Sequence, residues 1–556
     1  MNDRNIVKAV KEGKLDEADL DKVVLRMLKF AYEGKNGETP VSERKPIDFE
    51  AHHALVRKAA ANGAVLLKND GALPLKGDEK LAVIGLLAKK LRYQGAGSSH
   101  INPPKTVSFA QALDENGIKY DYADGYTLKG DGYDANLIKE ACEAAKGKDA
   151  VLVFIGLTDA YESEGFDRAH MEMPRSHNVL IEELAKVNKN IIAVLACGSP
   201  VELSACKENA RAFLNVYLGG QAGGEAAYDV LYGKVNPCGK LAETFPNRLS
   251  DGIVTPYFPM GPRAVEYRES VYVGYRYYDS AKKDVAYPFG YGLSYTSFEY
   301  SDLKLSADRI SEKDGLTVNF KVKNVGKTAG AEVAELYVKD DESTIFRPEK
   351  ELKGFKKIYL EAGETKEAEI KLDSRAFAYY NTAIKDWHVE SGDFSVLVGA
   401  SSRDIRLGGK VYVESADADA AIPDYTKTAP SYYSPEKCGE IPDAEFEALY
   451  GCALPGNEPY KKGGLTKNNS VGQITCSRAG RFICGLLTFG SKLVSKGAEN
   501  PEMITQSVRD MPLRSFSGFT GGAVSQKSVD GLVDMCNGVK GGFGKFVKGF
   551  KKEKNG

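Results

Sequence analysis

Two carboxylates one residue apart beside a glycine, Glu162 and Glu164 in Tyr161-Glu162-Ser163-Glu164-Gly165-Phe166-Asp167-Arg168, are the residues of this chain best suited to proton chemistry. A carboxyl pair serves acid–base catalysis when the surroundings drive the two proton affinities apart, so that one group is ionised while the other holds a proton. Gly165 gives such a loop freedom to close over a ligand. Taken alone, an E-x-E-G stretch is more often a solvated surface loop, so the elements around it must decide.

Those elements favour a site. The loop follows an apolar run at 150–156 that suits a strand buried on both faces. It precedes a helix over 175–186, opened by Pro174, with Leu180, Leu184 and Val187 on one face. Further strands at 81–85, 191–196 and 212–216 alternate with helices near 134–146 and 225–232, which predicts α/β layering over 46–298. Ligands of open parallel sheets bind beyond the carboxyl ends of the strands, where this loop falls. The segment Arg92-Tyr93-Gln94-Gly95-Ala96-Gly97-Ser98-Ser99-His100 lies between the first strand and the next helix. Its glycines do not follow the strand directly and His100 replaces the third, so a nucleotide-binding fingerprint is not met. As a polar loop beside the same crevice it offers Ser98 and His100 as substrate-binding candidates, although structural hydrogen bonding is the plainer role for His100.

The remaining pattern is multidomain. Residues 1–45 read as helical, with Leu20, Val24, Leu28 and Ala31 on a face that needs a larger body to dock on. The tyrosines of 253–298, among them Tyr272, Tyr275, Tyr277 and Tyr278, suit a packed connection. Over 299–413 the period becomes two, as in Leu316, Val318, Phe320 and Val322, which predicts a β-sandwich with the sole tryptophan, Trp387, in its core. Residues 414–443 read as a proline-rich surface linker and 444–556 as a mostly helical extension. That extension ends in a basic amphipathic stretch, Phe543, Phe546, Val547 and Phe550 against Lys545, Lys548, Lys551 and Lys552, expected to dock on the chain's own body.

At 556 residues the chain should hold roughly three or four domains. With 75 basic and 77 acidic residues it has no long-range field to recruit nucleic acid or a membrane surface. Nine cysteines without C-x-x-C spacing indicate neither a zinc site nor a disulfide framework, and with no signal-like N-terminus they predict a cytoplasmic protein with free thiols. No cofactor or metal is expected, and association between copies is left open.

Several long stretches occur in one order: AANGAVLLKND at 60–70, YQGAGSSHINP at 93–103, ESEGFDR at 162–168, GGQAGGEAAYDVLYGKVNPCGKLAETFP at 219–246, YVGYRYYD at 272–279 and YPFGYGLSYTSFEY at 287–300. In these the chain resembles glycoside hydrolase family 3, the β-glucosidase-like enzymes. The resemblance implies an α/β sandwich domain with a mostly parallel sheet, a fibronectin type III-like domain, and a helical C-terminal extension. It also implies that 1–45 are the last helices of a catalytic (β/α)8 barrel. Activity would be retaining hydrolysis of β-linked glucosides or oligosaccharides, with Glu164 as acid/base and Phe166 lining the leaving-group side. Glu162 is the alternative acid, and Asp167 and Arg168 are expected to pair and hold the loop.

Retaining hydrolysis also needs a nucleophile about 5–5.5 Å from the acid/base. The family carries it in a Ser-Asp motif on the barrel, ahead of the acid/base, whereas the Ser-Asp pairs here, Ser250-Asp251 and Ser301-Asp302, follow Glu164. The expectation is therefore the acid/base half of a β-glucosidase, truncated or completed by a separate barrel polypeptide and weakly active alone, with Glu164 less perturbed than in a complete site. The alternative is a non-catalytic carbohydrate-binding or scaffold protein.

Overall fold

Capping starts the chain's first long helix. Asp16 accepts from the Ala18 N–H and opens α2 (Glu17–Asn36), which follows α1 (Asp3–Lys11). Along α2 the apolar side chains Val24, Leu25, Leu28 and Phe30 are exposed. The computed structural model describes residues 3–37, 46–98, 100–128, 132–258, 261, 263–497, 501–521 and 523–549. They divide into units 1–52 and 53–556, of which the helices α1 and α2 form most of the first.

Helix α3 (Phe49–Gly63) leads into the second unit, followed by β1 (Val65–Asn69), β2 (Leu81–Ile84), α4 (Phe109–Glu115) and β3 (Tyr120–Ala123). Then come α5 (Ala135–Ala145), β4 (Ala150–Gly156), α6 (Arg175–Val187), β5 (Ile191–Ala196), α7 (Ser204–Asn209), β6 (Ala212–Asn215) and α8 (Gly223–Leu231). The six strands order as β1-β6-β5-β4-β2-β3, parallel except that β1 runs antiparallel to β6. Every residue of β4 and β5 is buried, as continuous apolar runs in a doubly covered sheet require. Strand β2 lies between β3 and β4, so the chain leaves it in one direction and returns on the other, creating a switch point beyond the ends of β2 and β4. An ion pair and a histidine–carboxylate hydrogen bond fasten α3 to α8: Arg57 Nε and Nη2 donate to Asp229 at 2.6 and 2.7 Å, and His53 Nε2 meets Glu225 at 2.5 Å.

A short ribbon of β7 (Phe245–Pro246) and β8 (Val285–Tyr287) brackets α9 (Tyr275–Ser280). The expected packing of tyrosines holds for Tyr272 and Tyr277, which are buried with Tyr257 and Ile253. The same cluster takes in Ala429, Tyr432, Cys438 and Ile441. Residues 414–443 are therefore not only a surface linker: Tyr432 Oη donates to the Arg268 carbonyl at 2.8 Å, and burial of its ring draws the proline-rich segment inward.

The β-sandwich comprises β9 (Phe298–Leu305), β10 (Arg309–Ser311), β11 (Leu316–Asn324), β12 (Gly330–Asp340), β13 (Glu351–Leu360), β14 (Thr365–Leu372), β15 (Tyr379–Asn381), β16 (Asp386–His388), β17 (Gly392–Ser401) and β18 (Asp404–Glu414). A five-stranded sheet β10-β18-β17-β12-β13 faces a three-stranded sheet β14-β11-β9, with Leu316, Val318, Phe320 and Val322 turned into the shared core. Trp387 is not in that core. It sits on the separate β15–β16 hairpin, 44% exposed, with the Arg375 guanidinium 3.4 Å over its ring, so a cation–π contact serves it in place of burial.

Helix α10 (Asp443–Tyr450) joins the tyrosine cluster through Phe446 and Leu449, and the rest of the extension folds as α11 (Arg478–Val494), α12 (Pro501–Asp510), α13 (Phe516–Phe519), α14 (Gln526–Asn537) and α15 (Gly542–Gly549), with a core of Leu465, Val471, Ile474, Leu513, Val529 and Leu532. Phe546 of α15 packs on this cluster, while Phe543 is exposed. Phe550, Lys551 and Lys552 of the expected basic stretch lie outside the described residues. All nine cysteines are free, and among the described residues no cluster of His, Cys, Asp and Glu forms a metal site and no helix is long and apolar enough to cross a membrane.

Candidate active site

The chain leaves β2 through the loop of residues 89–107 and leaves β4 through the loop of residues 157–174, and the two meet at the switch point. Ala96 and Ser163 form a parallel bridge, and the Glu164 N–H donates to the Ala96 carbonyl at 3.2 Å. The Ser98 N–H then donates to Glu164 Oε2 at 2.5 Å. Glu164 is exposed, and these contacts from Ser98, first its N–H and then its side chain, hold the carboxyl below the usual range. Ser98, expected to bind substrate, is thus engaged with Glu164 itself. In this setting Glu164 is a ready base, and it gains the proton affinity of an acid only when a further negative charge or desolvation acts on it.

Glu162 has a different environment. Its carboxylate accepts from the Gly198 N–H at 2.9 Å, from Ser199 Oγ at 2.5 Å and from Arg92 Nη2 at 3.2 Å. Arg92 also donates to the carbonyls of Leu157 and Glu162 and lies 3.5 Å from Asp159, with its side chain 5% exposed. Burial pulls the Arg92 guanidinium below its ordinary range while Glu162 and Asp159 oppose the shift. The Glu162 carboxylate therefore fastens the loop after β4 to the turn after β5 and to the loop after β2. Of the two loop glutamates, the one open to solvent at the crevice is Glu164.

Arg168 and Asp167, expected as partners, separate. Arg168 Nη2 donates to the Pro200 carbonyl at 2.9 Å, because the turn after β5 offers a part-buried acceptor while Asp167 stays exposed. Near Arg168 stands Glu243, a residue that sequence reasoning missed inside the stretch at 219–246. Burial pushes its carboxyl up to about 7, and Glu162 adds to the rise while Arg168 opposes it. Arg92, Gly198 and Ser199 were equally missed as supports. The only signal for them was turn chemistry directly after a buried strand, as in Cys197-Gly198-Ser199-Pro200.

Phe166 is half-buried and lines a cavity of about 310 Å³ together with Tyr161, Arg168 and His170. His100 stands exposed in the loop after β2, its ring centroid 6.3 Å from that of Tyr93. Its loop is braced by Gln94, which accepts from the Ile101 N–H and donates to the Ile101 carbonyl, both at 2.9 Å.

A parallel-stranded domain with a braced acidic loop at its switch point, joined to a β-sandwich, matches known families in both parts. Residues 64–295 match the glycosyl hydrolase family 3 C-terminal domain and residues 332–402 the fibronectin type III-like domain. The chain belongs to the C-terminal part of glycosyl hydrolase family 3. It is 42% identical over 546 residues to the thermostable β-glucosidase B of Acetivibrio thermocellus, covering 97% of this chain and 66% of that protein. It is also 42% identical over 413 residues to an exo-α-(1→6)-L-arabinopyranosidase of Bifidobacterium breve, covering 72% of this chain and 54% of that protein. Among solved structures, the family 3 β-glucosidase of Bifidobacterium adolescentis superposes with a TM-score of 0.72 at 38% identity, covering 79% of this chain and 64% of that one. The β-glucosidase 3B of Thermotoga neapolitana in complex with glucose gives a TM-score of 0.65 at 33% identity, covering 74% of this chain and 61% of that one. The chain thus spans between about half and two thirds of the length of these relatives.

Proposed function

We propose that this chain supplies the acid/base side of a retaining β-glycosidase acting on β-glucosides or closely related pyranosides. The observation that carries the reading is the division of labour in the loop after β4, where Glu162 is tied to Arg92, Gly198 and Ser199 while Glu164 stands open at the sheet's carboxyl edge. Glu164 protonates the glycosidic oxygen as the bond breaks, then takes a proton from the water that releases the sugar.

The covalent step needs a carboxylate on the far face of the sugar, and among the described residues no (β/α)8 barrel is present to offer one. A barrel, whether part of a longer polypeptide or a separate chain, supplies that group. Its negative charge raises the proton affinity of Glu164 and makes an acid of what is otherwise a base. Without a nucleophile, turnover falls by several orders of magnitude.

The test is hydrolysis of an aryl β-glucoside by the chain mixed with a barrel polypeptide. Glu164→Gln should lower the rate by roughly 10²–10⁴-fold. Hydrolysis that survives this substitution unchanged refutes the assignment.

A further inference from the structure

The near-balance of charge over the whole chain hides a partition. Residues 461–556 hold 16 of its 75 basic residues and only 6 of its 77 acidic ones, so the acidic excess lies in the residues before them. This basic segment folds on a core of its own and meets the α/β domain through α12, where a β-carbon on Gly165 would lie 3.2 Å from Ser507 Oγ and 3.6 Å from Met503 Cγ. Helix α11 packs against α12 and α14 and turns Ile483, Cys484 and Leu487 toward that core. Its opposite face stays open. Phe482, Leu486, Phe489 and Leu493 follow one another at steps of four, three and four residues, which sets them in one row along the helix, and they are 59% to 74% exposed. Single exposed apolar side chains are ordinary, whereas a continuous row of large ones marks a surface that something covers. No acidic residue occurs in α11. Arg478 and Lys492 fall on one flank of the row by helical period, Lys496 follows just beyond the helix end, and all three are exposed. The helix is about 25 Å long. It is not long and apolar enough to cross a bilayer, so a covering membrane would lie along it.

We infer that α11 is a membrane-surface anchor: Phe482, Leu486, Phe489 and Leu493 enter the headgroup–acyl boundary of an anionic phospholipid bilayer, and Arg478, Lys492 and Lys496 meet its phosphates. A second copy of the chain suits this face less, because stacking two extensions opposes like excess charge, whereas anionic lipid neutralises it. The anchor is independent of Glu164 and its role in proton transfer.

Vesicle flotation of the full chain tests it. The chain should float with vesicles of phosphatidylglycerol and phosphatidylcholine in equal parts, should not float with phosphatidylcholine alone, and should bind more weakly as salt is raised. Phe482→Ser combined with Phe489→Ser, both at exposed positions, should weaken binding by about tenfold or more while the thermal melt stays that of the parent. Arg478→Gln with Lys492→Gln and Lys496→Gln should weaken it likewise. In Phe489→Trp, compared with the parent and its single Trp387, anionic vesicles should move the emission to the blue, which adsorption by charge alone does not do. Absence of flotation, or flotation that the serine pair leaves unchanged, overturns the inference. So does a parent dimer that the serine pair converts to monomer, which would give the row to a second copy, or loss of flotation on adding a barrel polypeptide, which would give it to the barrel.

Discussion

A β-carbon on Gly97 would lie 2.5 Å from both Cβ and Oε2 of Glu164. Gly97 also holds φ at +125°, a conformation that L side chains rarely adopt. The backbone of the loop after β2 thus approaches the candidate acid/base closely enough that a β-carbon does not fit, and the Ser98 N–H reaches the carboxylate because no side chain intervenes. Gly97→Ala should push Glu164 off this bond and reduce glycoside hydrolysis in the presence of a barrel by about 10²-fold, with a stability cost of about 1–2 kcal/mol. Kinetics and urea unfolding measured on the same variant separate the two effects. A variant as active as the parent would show that the Gly97 approach is immaterial.

Arg92 is the counter-ion of the loop's fixed glutamate, and its removal leaves a half-buried carboxylate without its cation, held only by Gly198 and Ser199. Arg92→Ala should cost about 3 kcal/mol in denaturant unfolding. Arg92→Lys should recover little, because one ammonium cannot span Leu157, Asp159 and Glu162 together. Equal stability of the lysine variant and the parent would argue against a role for the planar fork.

Glu164 alone is held below the usual carboxylate range by Ser98. Carboxyl-carbon NMR titration of the chain should place it there, and addition of a barrel polypeptide should raise it as a second carboxylate approaches. Identical titration curves with and without the barrel would contradict the shared-site reading.

The sandwich offers a pH test independent of the crevice. Glu335 is pushed up to about 7 from an ordinary value of 4.5, chiefly by burial, with Tyr337 and Lys240 opposing and Glu332 reinforcing. Because the folded value lies above the unfolded one, the unfolded chain ionises first as pH rises, and the folded state binds the extra proton between about 4.5 and 7. This group therefore weakens the fold progressively across that window and keeps it weakened above. Glu335→Gln should remove the dependence and gain about 2 kcal/mol at pH 8 relative to pH 4.5. Parallel stability curves for variant and parent over this range would dismiss it.

The α/β layering was legible because β4 and β5 are unbroken apolar runs and α6 carries a clear helical period. Edge strands were not: β3 is Tyr120–Ala123, polar and half-exposed, and β1 holds its place by antiparallel pairing with a strand far along the chain. Both depend on partners that local pattern does not encode. The candidate site divides in the same way. Glu164 and Phe166 were singled out by the motifs around them, whereas the supports of Glu162 come from two other loops, and no spacing predicts that Arg92 and Ser199 converge on it. Arg168 shows the converse, since adjacency to Asp167 suggested a pair that the part-buried Pro200 carbonyl displaced.

The groups found to hold Glu164 and its loop, namely Arg92, Gly97, Ser98, Glu162, Gly198 and Ser199, fall within one short stretch of the chain, whereas Met503 and Ser507 come from near its far end. A genetic crossover outside residues 92–199 transmits the candidate acid/base loop and its supports together. An exchange of the tail alone rewrites the surface laid against Gly165.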